Sequence, residues 1–265
     1  MLKKLLLLFF FVSLEVFAEQ SVPNQLEKIK TQKELKVCTS AGYAPFEVRT
    51  AKGKWVGFDI LMFDNFAKYL NVKLELVDIR WEGIFPALLS QKCDFITGGM
   101  SITEERKKVI NFSDVIYKSG NSLVISSHNS SKFKNLQDLD KEGVKIAVKT
   151  GNTGQQYLEK NLKNAKLLRF DTNSDLLTAV LKNRADAFAQ DTVFALMASH
   201  ENKGKLVILS EKLNYEDLAV GVRKQDTELL NKFNSFLADW KKSGGYGKAV
   251  TYYIESDKWT AELKN

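Results

Sequence analysis

Two charged residues, Arg106 and Asp191, stand where a small charged group could be recognised. Arg106 follows Thr103-Glu104-Glu105, and Thr103 reads as the N-cap of a short helix. A guanidinium there could hold a carboxylate through two parallel hydrogen bonds, helped by the backbone N–H groups of Ser101 and Thr103. It could equally pair with Glu104 or Glu105 at the surface. Asp191 ends a strand of small and apolar residues, where its carboxylate could receive an ammonium group or cap the following helix. Tyr43 and Trp81 come just after two other strands. Between them they could grip a side chain by its flat faces, or each could be a half-buried core aromatic.

Other chemistries find little support. Gly151-Asn152-Thr153-Gly154 opens a helix and can turn N–H groups toward an anion, but it lacks the Gly-Lys-Ser/Thr ending of a nucleotide phosphate loop. No GxGxxG run follows the first strand, and no G-x-S-x-G elbow is present. The chain has 2 His and 2 Cys, His128, His200, Cys38 and Cys93, with no clustering suited to zinc. No cofactor is expected. Cys38 falls late in one strand and Cys93 at the start of another, so parallel neighbours would stagger the sulfurs along the sheet; both cysteines are expected to be unpaired.

The elements that would carry these residues alternate. Leu35–Thr39 reads as a strand, the Gly-containing turn at Lys52-Gly53-Lys54 as a hairpin tip, and Asp59–Leu70 as a helix with apolar residues at helical spacing. Val72–Val77 is a strand, Ile84–Leu89 a short helix, and Phe95-Ile96-Thr97 a strand ending in Gly98-Gly99. The rhythm restarts with a strand at Val144–Val148, a helix from Gly151 to about Leu162, a strand at Lys166–Phe170 and a helix at Ser174–Leu181. A strand at Ala185–Ala189 ending in Gln190-Asp191 and a helix from Val193 follow. Ala219–Val222 is a further strand, and Glu228–Tyr253 a helical tail broken at Gly244-Gly245. This alternation predicts α/β sheets with parallel strands. Tyr117-Lys118-Ser119-Gly120, between the two units, has hinge character. Ligands of open α/β sheets sit beyond the C-terminal strand ends. That rule directs attention to Ser40–Phe46, Arg80-Trp81, Gly98–Ser101, Gly151–Thr153 and Gln190-Asp191.

Composition bounds the setting. Met1-Leu2-Lys3-Lys4, the apolar run Leu5–Val12 and Val16-Phe17-Ala18 have the layout of a secretory signal peptide over residues 1–18, cut after Ala18, which implies a periplasmic location. The apolar run is short for a membrane span. The chain holds 39 Lys+Arg against 32 Asp+Glu, a net charge of +7. The basic residues are interspersed with acids, as in Glu104-Glu105-Arg106-Lys107-Lys108, so a solvated surface is expected and no nucleic-acid partner.

The order of motifs resembles the polar amino-acid group of ABC-transporter solute-binding proteins. The matching stretches are Gly42–Phe46, Gly57-Phe58-Asp59, Trp81–Leu88 with Asp94, Gly98–Ser113, Ala147–Gly151 and Arg184–Ala187 with Asp191. The resemblance implies the type II periplasmic-binding fold, two α/β lobes joined by a two-strand hinge. Lobe one would be residues 22–117 and 218–265, lobe two residues 118–217. It implies a monomer that binds a free amino acid, closes on it and delivers it to a membrane permease, without catalysis. Carried over position by position, Arg106 takes the ligand carboxylate and Asp191 the ammonium. Ser101, Gly99 and Met100 flank the ligand backbone, and Thr153 adds donors to the carboxylate. Tyr43 and Trp81 flank the side chain, near Ser40 and Gln190. Relatives selective for cationic or glutamine side chains often carry an acid at the Ser40 position; Arg80, Lys149 and Gln190 would add positive or amide character. The expectation leans toward glutamine or glutamate, with arginine and lysine open. A cyclohexadienyl dehydratase-like lyase and a sensor for a signalling receptor are the alternatives.

Overall fold

The computed structural model describes residues 24–264. The expected leader (1–18), its cut site and the start of the first lobe at Val22 lie outside the described residues.

In the first unit α1 (Gln25–Gln32) leads into β1 (Glu34–Thr39), and the hairpin β2 (Val48–Arg49) and β3 (Trp55–Val56) turns through Gly53. Next come α2 (Phe58–Leu70), β4 (Lys73–Asp78), α3 (Ile84–Leu89), β5 (Phe95–Ile96), α4 (Glu104–Val109) and β6 (Ile110–Phe112). The chain then crosses through β7 (Tyr117–Ser119) into β8 (Asn121–Ser126), α5 (Leu136–Leu139), β9 (Lys145–Lys149), α6 (Thr153–Asn161), β10 (Lys166–Phe170), α7 (Asn173–Leu181), β11 (Ala187–Asp191), α8 (Thr192–Glu201) and β12 (Leu206–Lys212). It returns through β13 (Glu216–Leu218) to β14 (Gly221–Arg223), α9 (Thr227–Lys242) and α10 (Gly245–Ala249).

Two five-stranded sheets result, ordered β4-β1-β5-β14-β6 and β10-β9-β11-β8-β12, and the crossings β7 and β13 pair antiparallel between them, Tyr117 opposite Leu218. The molecule is therefore two α/β lobes on a two-strand hinge, and the hinge expected at Tyr117–Gly120 is β7 and the residue after it.

Both sheets are mixed, not parallel throughout. β14 runs antiparallel to β5 and β6, and β8 antiparallel to β11 and β12. Of these, the sequence marks the run at Ala219–Val222 as a strand but not Asn121–Ser126, and a hydrophobic run carries no direction in any case. Direction is set here by connection: β8 and β14 each enter their sheet straight from a hinge crossing, with no helical crossover to turn them parallel.

The core of lobe one is aromatic. Phe63, Phe66 and Phe95 pack with Phe233 and Phe236 at ring-centroid separations of 5.0–5.8 Å. α9 supplies that face because Leu229, Phe233, Phe236, Leu237 and Trp240 recur at three- and four-residue steps and are all buried. Each such ring contributes about 1.5–3 kcal/mol by leaving water, which fixes α9 against α2 and so fixes the frame of the sheet.

Cys38 and Cys93 form a disulfide, with Cα atoms 5.7 Å apart. This corrects the expectation of two free thiols. The lengthwise stagger is real, since Cys38 stands opposite Ile96, not Cys93. Cys93, however, precedes the strand. The chain reverses after α3 at Gln91 (φ 61°) and enters the sheet only where the Asp94 N–H meets the Lys36 carbonyl. Cys93 thus belongs to the turn descending from α3 onto the sheet, where both sulfurs share one buried apolar cluster with Ile84 and Leu88.

Candidate functional site

Strand ends from both lobes converge on a small cavity between them. From lobe one come Tyr43, Trp81, Gly98, Gly99, Ser101 and Arg106; from lobe two Asn121, Lys149, Asn152, Thr153, Asn173, Gln190 and Asp191; from the hinge Glu216.

Arg106 is held by its helix. Thr103 caps α4, its hydroxyl accepting from the Arg106 N–H at 3.2 Å. The guanidinium Nη1 donates to the Ser101 carbonyl at 2.9 Å, and Nη2 crosses the cleft to the Gly151 carbonyl at 3.4 Å. Burial lowers its pKa to about 10, with the Glu216 charge opposing that fall. Neither Glu104 nor Glu105 holds it; Glu104 pairs with Lys107. The cation lies 5.7 Å from the Trp81 ring and 5.9 Å from Phe85.

Asp191 takes one of the two roles its position suggested, the helix cap. Oδ1 accepts from the Val193 N–H at 2.8 Å and caps α8. Oδ2 is buried without a well-formed hydrogen bond, with the Tyr43 and Ser119 hydroxyls nearby. Burial pushes the carboxyl up to about 6, against the lowering pull of those hydroxyls and the Val193 N–H. The Tyr43 phenol is pushed well above its ordinary range, first by burial and then by the Asp191 charge.

The loop at Gly98-Gly99 is shaped by absence of side chains. Both glycines have positive φ, 128° and 57°. A Cβ on Gly99 would collide with the Tyr43 ring, and one on Gly98 would stand 2.6 Å from Glu47 Oε1. Asp59 fixes this loop from behind: its Oδ2 accepts from the Thr97 hydroxyl at 2.5 Å and the Gly98 N–H at 3.0 Å. Burial raises the Asp59 carboxyl to about 6.

Lys149 lies 5.2 Å from the Trp81 ring. Burial lowers its pKa, with the Glu47 and Glu82 charges opposing. Glu47 is buried behind Gly98 with neither carboxylate oxygen hydrogen-bonded, and burial first, then the Asp59 charge, pushes it well above the usual range.

Of the ten residues singled out from sequence, Arg106, Asp191, Ser101, Gly99, Thr153, Tyr43, Trp81 and Gln190 line the cavity, and Ser40 and Met100 do not. Met100 is fully buried in the cluster beneath the cavity floor, because the loop turns that side chain inward. Ser40 borders a separate cleft with Asp78, Arg80 and Asp171. Arg80 pairs loosely with Asp171 at 3.8 Å at the exposed mouth. Gln190 spends its amide within the wall, accepting from Asn152 and its neighbour's N–H and donating to Asn173.

Glu216, Asn121, Asn152 and Asn173 complete the lining. Asn152 stood inside the glycine turn that drew attention; the other three belong to no motif and reach the site only through the fold.

The lobes touch across the cleft. Gly151 O also accepts from Trp81 Nε1 at 3.2 Å, and Asn173 Nδ2 donates to Gly42 O at 3.3 Å. Among the described residues no group of three His, Cys, Asp or Glu side chains converges on a metal site.

Residues 35–256 match the model of a family described as bacterial extracellular solute-binding proteins, family 3. The L-cystine-binding protein TcyJ of Escherichia coli is 27% identical over 248 residues, 94% of this chain and 89% of that protein. The crystal structure of the ancestral amino acid-binding protein AncCDT-1, a precursor of cyclohexadienyl dehydratase, superposes with a TM-score of 0.83 at 36% identity, covering 86% of this chain and 99% of the other. An ancestral arginine-binding protein bound to glutamine gives a TM-score of 0.79 at 36% identity, covering 84% and 99%.

Proposed function

From the premise that the chain belongs to family 3 of the bacterial extracellular solute-binding proteins, we propose that it captures one free polar amino acid outside the cytoplasm and passes it to the permease of an ABC importer. It is a binding protein and not an enzyme, in keeping with the amino-acid-binding relatives it matches. Export through cleavage after Ala18, and a monomeric working state, go with this reading. So does the division into residues 22–117 with 218–265 and residues 118–217, which the membership of the two sheets supports.

The observation that carries the reading is that Arg106 of one lobe and Asp191 of the other line one cavity. An amino acid is a zwitterion and needs both charges answered. Arg106 takes the α-carboxylate, and the unpartnered Asp191 Oδ2 takes the α-ammonium. Both partners are already out of water, so each bond is strong when made and its absence costly. Tyr43 and Trp81 flank the side chain, while Gly99, Ser101 and Thr153 meet the ligand backbone.

Lys149 and Glu47 favour a glutamine side chain. Lys149 lines the cavity beside Trp81 and offers N–H donors to an amide carbonyl. Its charge disfavours an arginine or lysine side chain. Glu47 is close enough to Lys149 to offset part of its charge, which lessens the attraction for glutamate. A relative named as an arginine-binding protein accepts glutamine.

The test is a thermal-shift screen of the purified protein against the twenty amino acids, followed by calorimetry. A ligand that prefers the folded state raises the melting temperature. Stabilisation by glutamine with little from the cationic amino acids is expected; a preference for arginine or lysine would refute the side-chain assignment, and no response to any amino acid would refute the whole reading.

A further inference from the structure

Three buried amides, Asn152, Gln190 and Asn173, form a line from the wall of lobe two to a carbonyl of lobe one. Gln190 Oε1 accepts from Asn152 Nδ2 at 3.0 Å and from the Asp191 N–H at 2.9 Å. Gln190 Nε2 donates to Asn173 Oδ1 at 2.6 Å, and Asn173 Nδ2 donates across the cleft to the Gly42 carbonyl at 3.3 Å. A side-chain amide can be turned end for end, so its sense is set by partners that cannot turn. Both ends of this line are such partners. At the lobe-two end Asn152 Oδ1 is taken by the Gln155 N–H at 2.7 Å, in the cap of α6, which leaves Asn152 its nitrogen to offer to Gln190. The Asp191 N–H beside it can only donate. At the lobe-one end the Gly42 carbonyl can only accept. The line therefore runs one way, with its last N–H aimed at lobe one.

We propose that Gln190 and Asn173 are positioning residues for lobe closure: Gln190 turns the Asn173 amide so that its nitrogen latches the Gly42 carbonyl and stabilises the closed form, whatever side chain the ligand carries. The inference rests on the amino-acid reading above and deepens it. Asn173 is the first residue of α7, held there by Thr172, whose hydroxyl accepts from the Asp175 N–H at 3.1 Å. This latch is separate from the one at Gly151, which lies in the turn before α6 and receives Arg106 and Trp81. Lobe two is thus held to lobe one at two places. The line of amides starts at the backbone of Asp191 and ends one residue before Tyr43, so it ties together the two walls on which those side chains stand. Asn173 also lines the cavity, and a direct ligand contact is the rival role that a test must separate.

Gln190→Glu keeps the shape and removes the donor that Asn173 Oδ1 accepts from. Asn173 then turns its nitrogen toward the new carboxylate and sets its oxygen against the Gly42 carbonyl. Asn173→Ala removes the latch without adding charge. Stopped-flow fluorescence on the full chain would follow the two amino acids ranked highest in the thermal-shift screen. Each variant should release both ligands about tenfold faster, the loss of one buried hydrogen bond, with association within about twofold of wild type. Because Gln190 acts through Asn173, the double variant should release them no faster than Asn173→Ala alone. Unchanged release in the folded single variants, or losses that multiply in the double variant as for two independent contacts, would overturn the inference while leaving amino-acid binding intact. Should Gln190→Glu not fold, Asn173→Ala decides: an equal loss for both ligands supports the latch, and a loss confined to one of them rejects it. A wild-type protein that binds no amino acid would instead defeat the underlying reading, and this inference with it.

Discussion

Arg106 of one lobe and Gly151 of the other are joined at 3.4 Å, guanidinium to carbonyl, across the cleft that a ligand would fill. Trp81 reaches the same carbonyl at 3.2 Å. The residue proposed to clamp the ligand is thus also part of the contact between lobes, and recognition and closure share a side chain. Ligand shifts such an equilibrium only by as much as it prefers one state, and Arg106 is positioned to supply that difference.

Arg106→Ala should weaken binding of the selected amino acid by about 2–5 kcal/mol, the range for truncating one side of a buried charged pair. The melting temperature of the ligand-free protein should change far less. Calorimetry showing unchanged affinity would remove Arg106 from the site.

Acidity should loosen the ligand. Burial pushes the Asp191 carboxyl up to about 6, and the ammonium requires it ionised. Affinity should be flat above about pH 7 and weaken by roughly tenfold per pH unit below about 6. The ligand-free fold should respond oppositely. Asp59 and Asp191 bind protons more tightly folded, at about 6, than at the ordinary 3.8. Between those values the folded state holds the extra protons, so these groups add stability as pH falls through that window. A ligand-induced rise in melting temperature that is undiminished at about pH 5 would contradict the assignment.

Lys149→Met should shift side-chain preference without touching the backbone contacts. Removing a charge-assisted donor should cost a glutamine ligand about 1.5–3 kcal/mol, while arginine and lysine should gain. Competition calorimetry reads both at once, and a variant with the parent ranking would show that Lys149 does not select.

The disulfide should matter to stability and little to binding. It closes a span of 55 residues, for which the chain-entropy relation gives about 4 kcal/mol. Replacing both cysteines by serine should lower the urea midpoint accordingly, with ligand affinity within about twofold because neither sulfur lines the cavity.

Sequence carried the helix cap at Thr103, the strand end at Asp191 and the alternating elements because these are local signals. Thr103 before Arg106 and Asp191 at a strand end are readable from neighbours alone. Met100 and Gly99 differ by one position, yet one is buried and the other lines the cavity; that depends on the positive φ angles of Gly98 and Gly99. Glu216 was invisible because its place in the lining arises from β13 meeting β7, an event nearly a hundred residues apart in the chain. The cysteine pairing eluded a strand-based argument because Cys93 lies in a turn, and turns do not follow sheet spacing.

The order β4-β1-β5-β14-β6 has a consequence for assembly. β14 lies between β5 and β6, yet it is made only after the whole of lobe two. A growing chain that has reached β12 therefore owns a complete second sheet and a first sheet with a gap in its middle. The lobe that begins first must finish last, and α9, which seals its aromatic core, arrives later still. A chain ending before Gly221 should consequently leave lobe one open to proteases while lobe two resists them, making the late C-terminal stretch the step that commits the molecule to its native form.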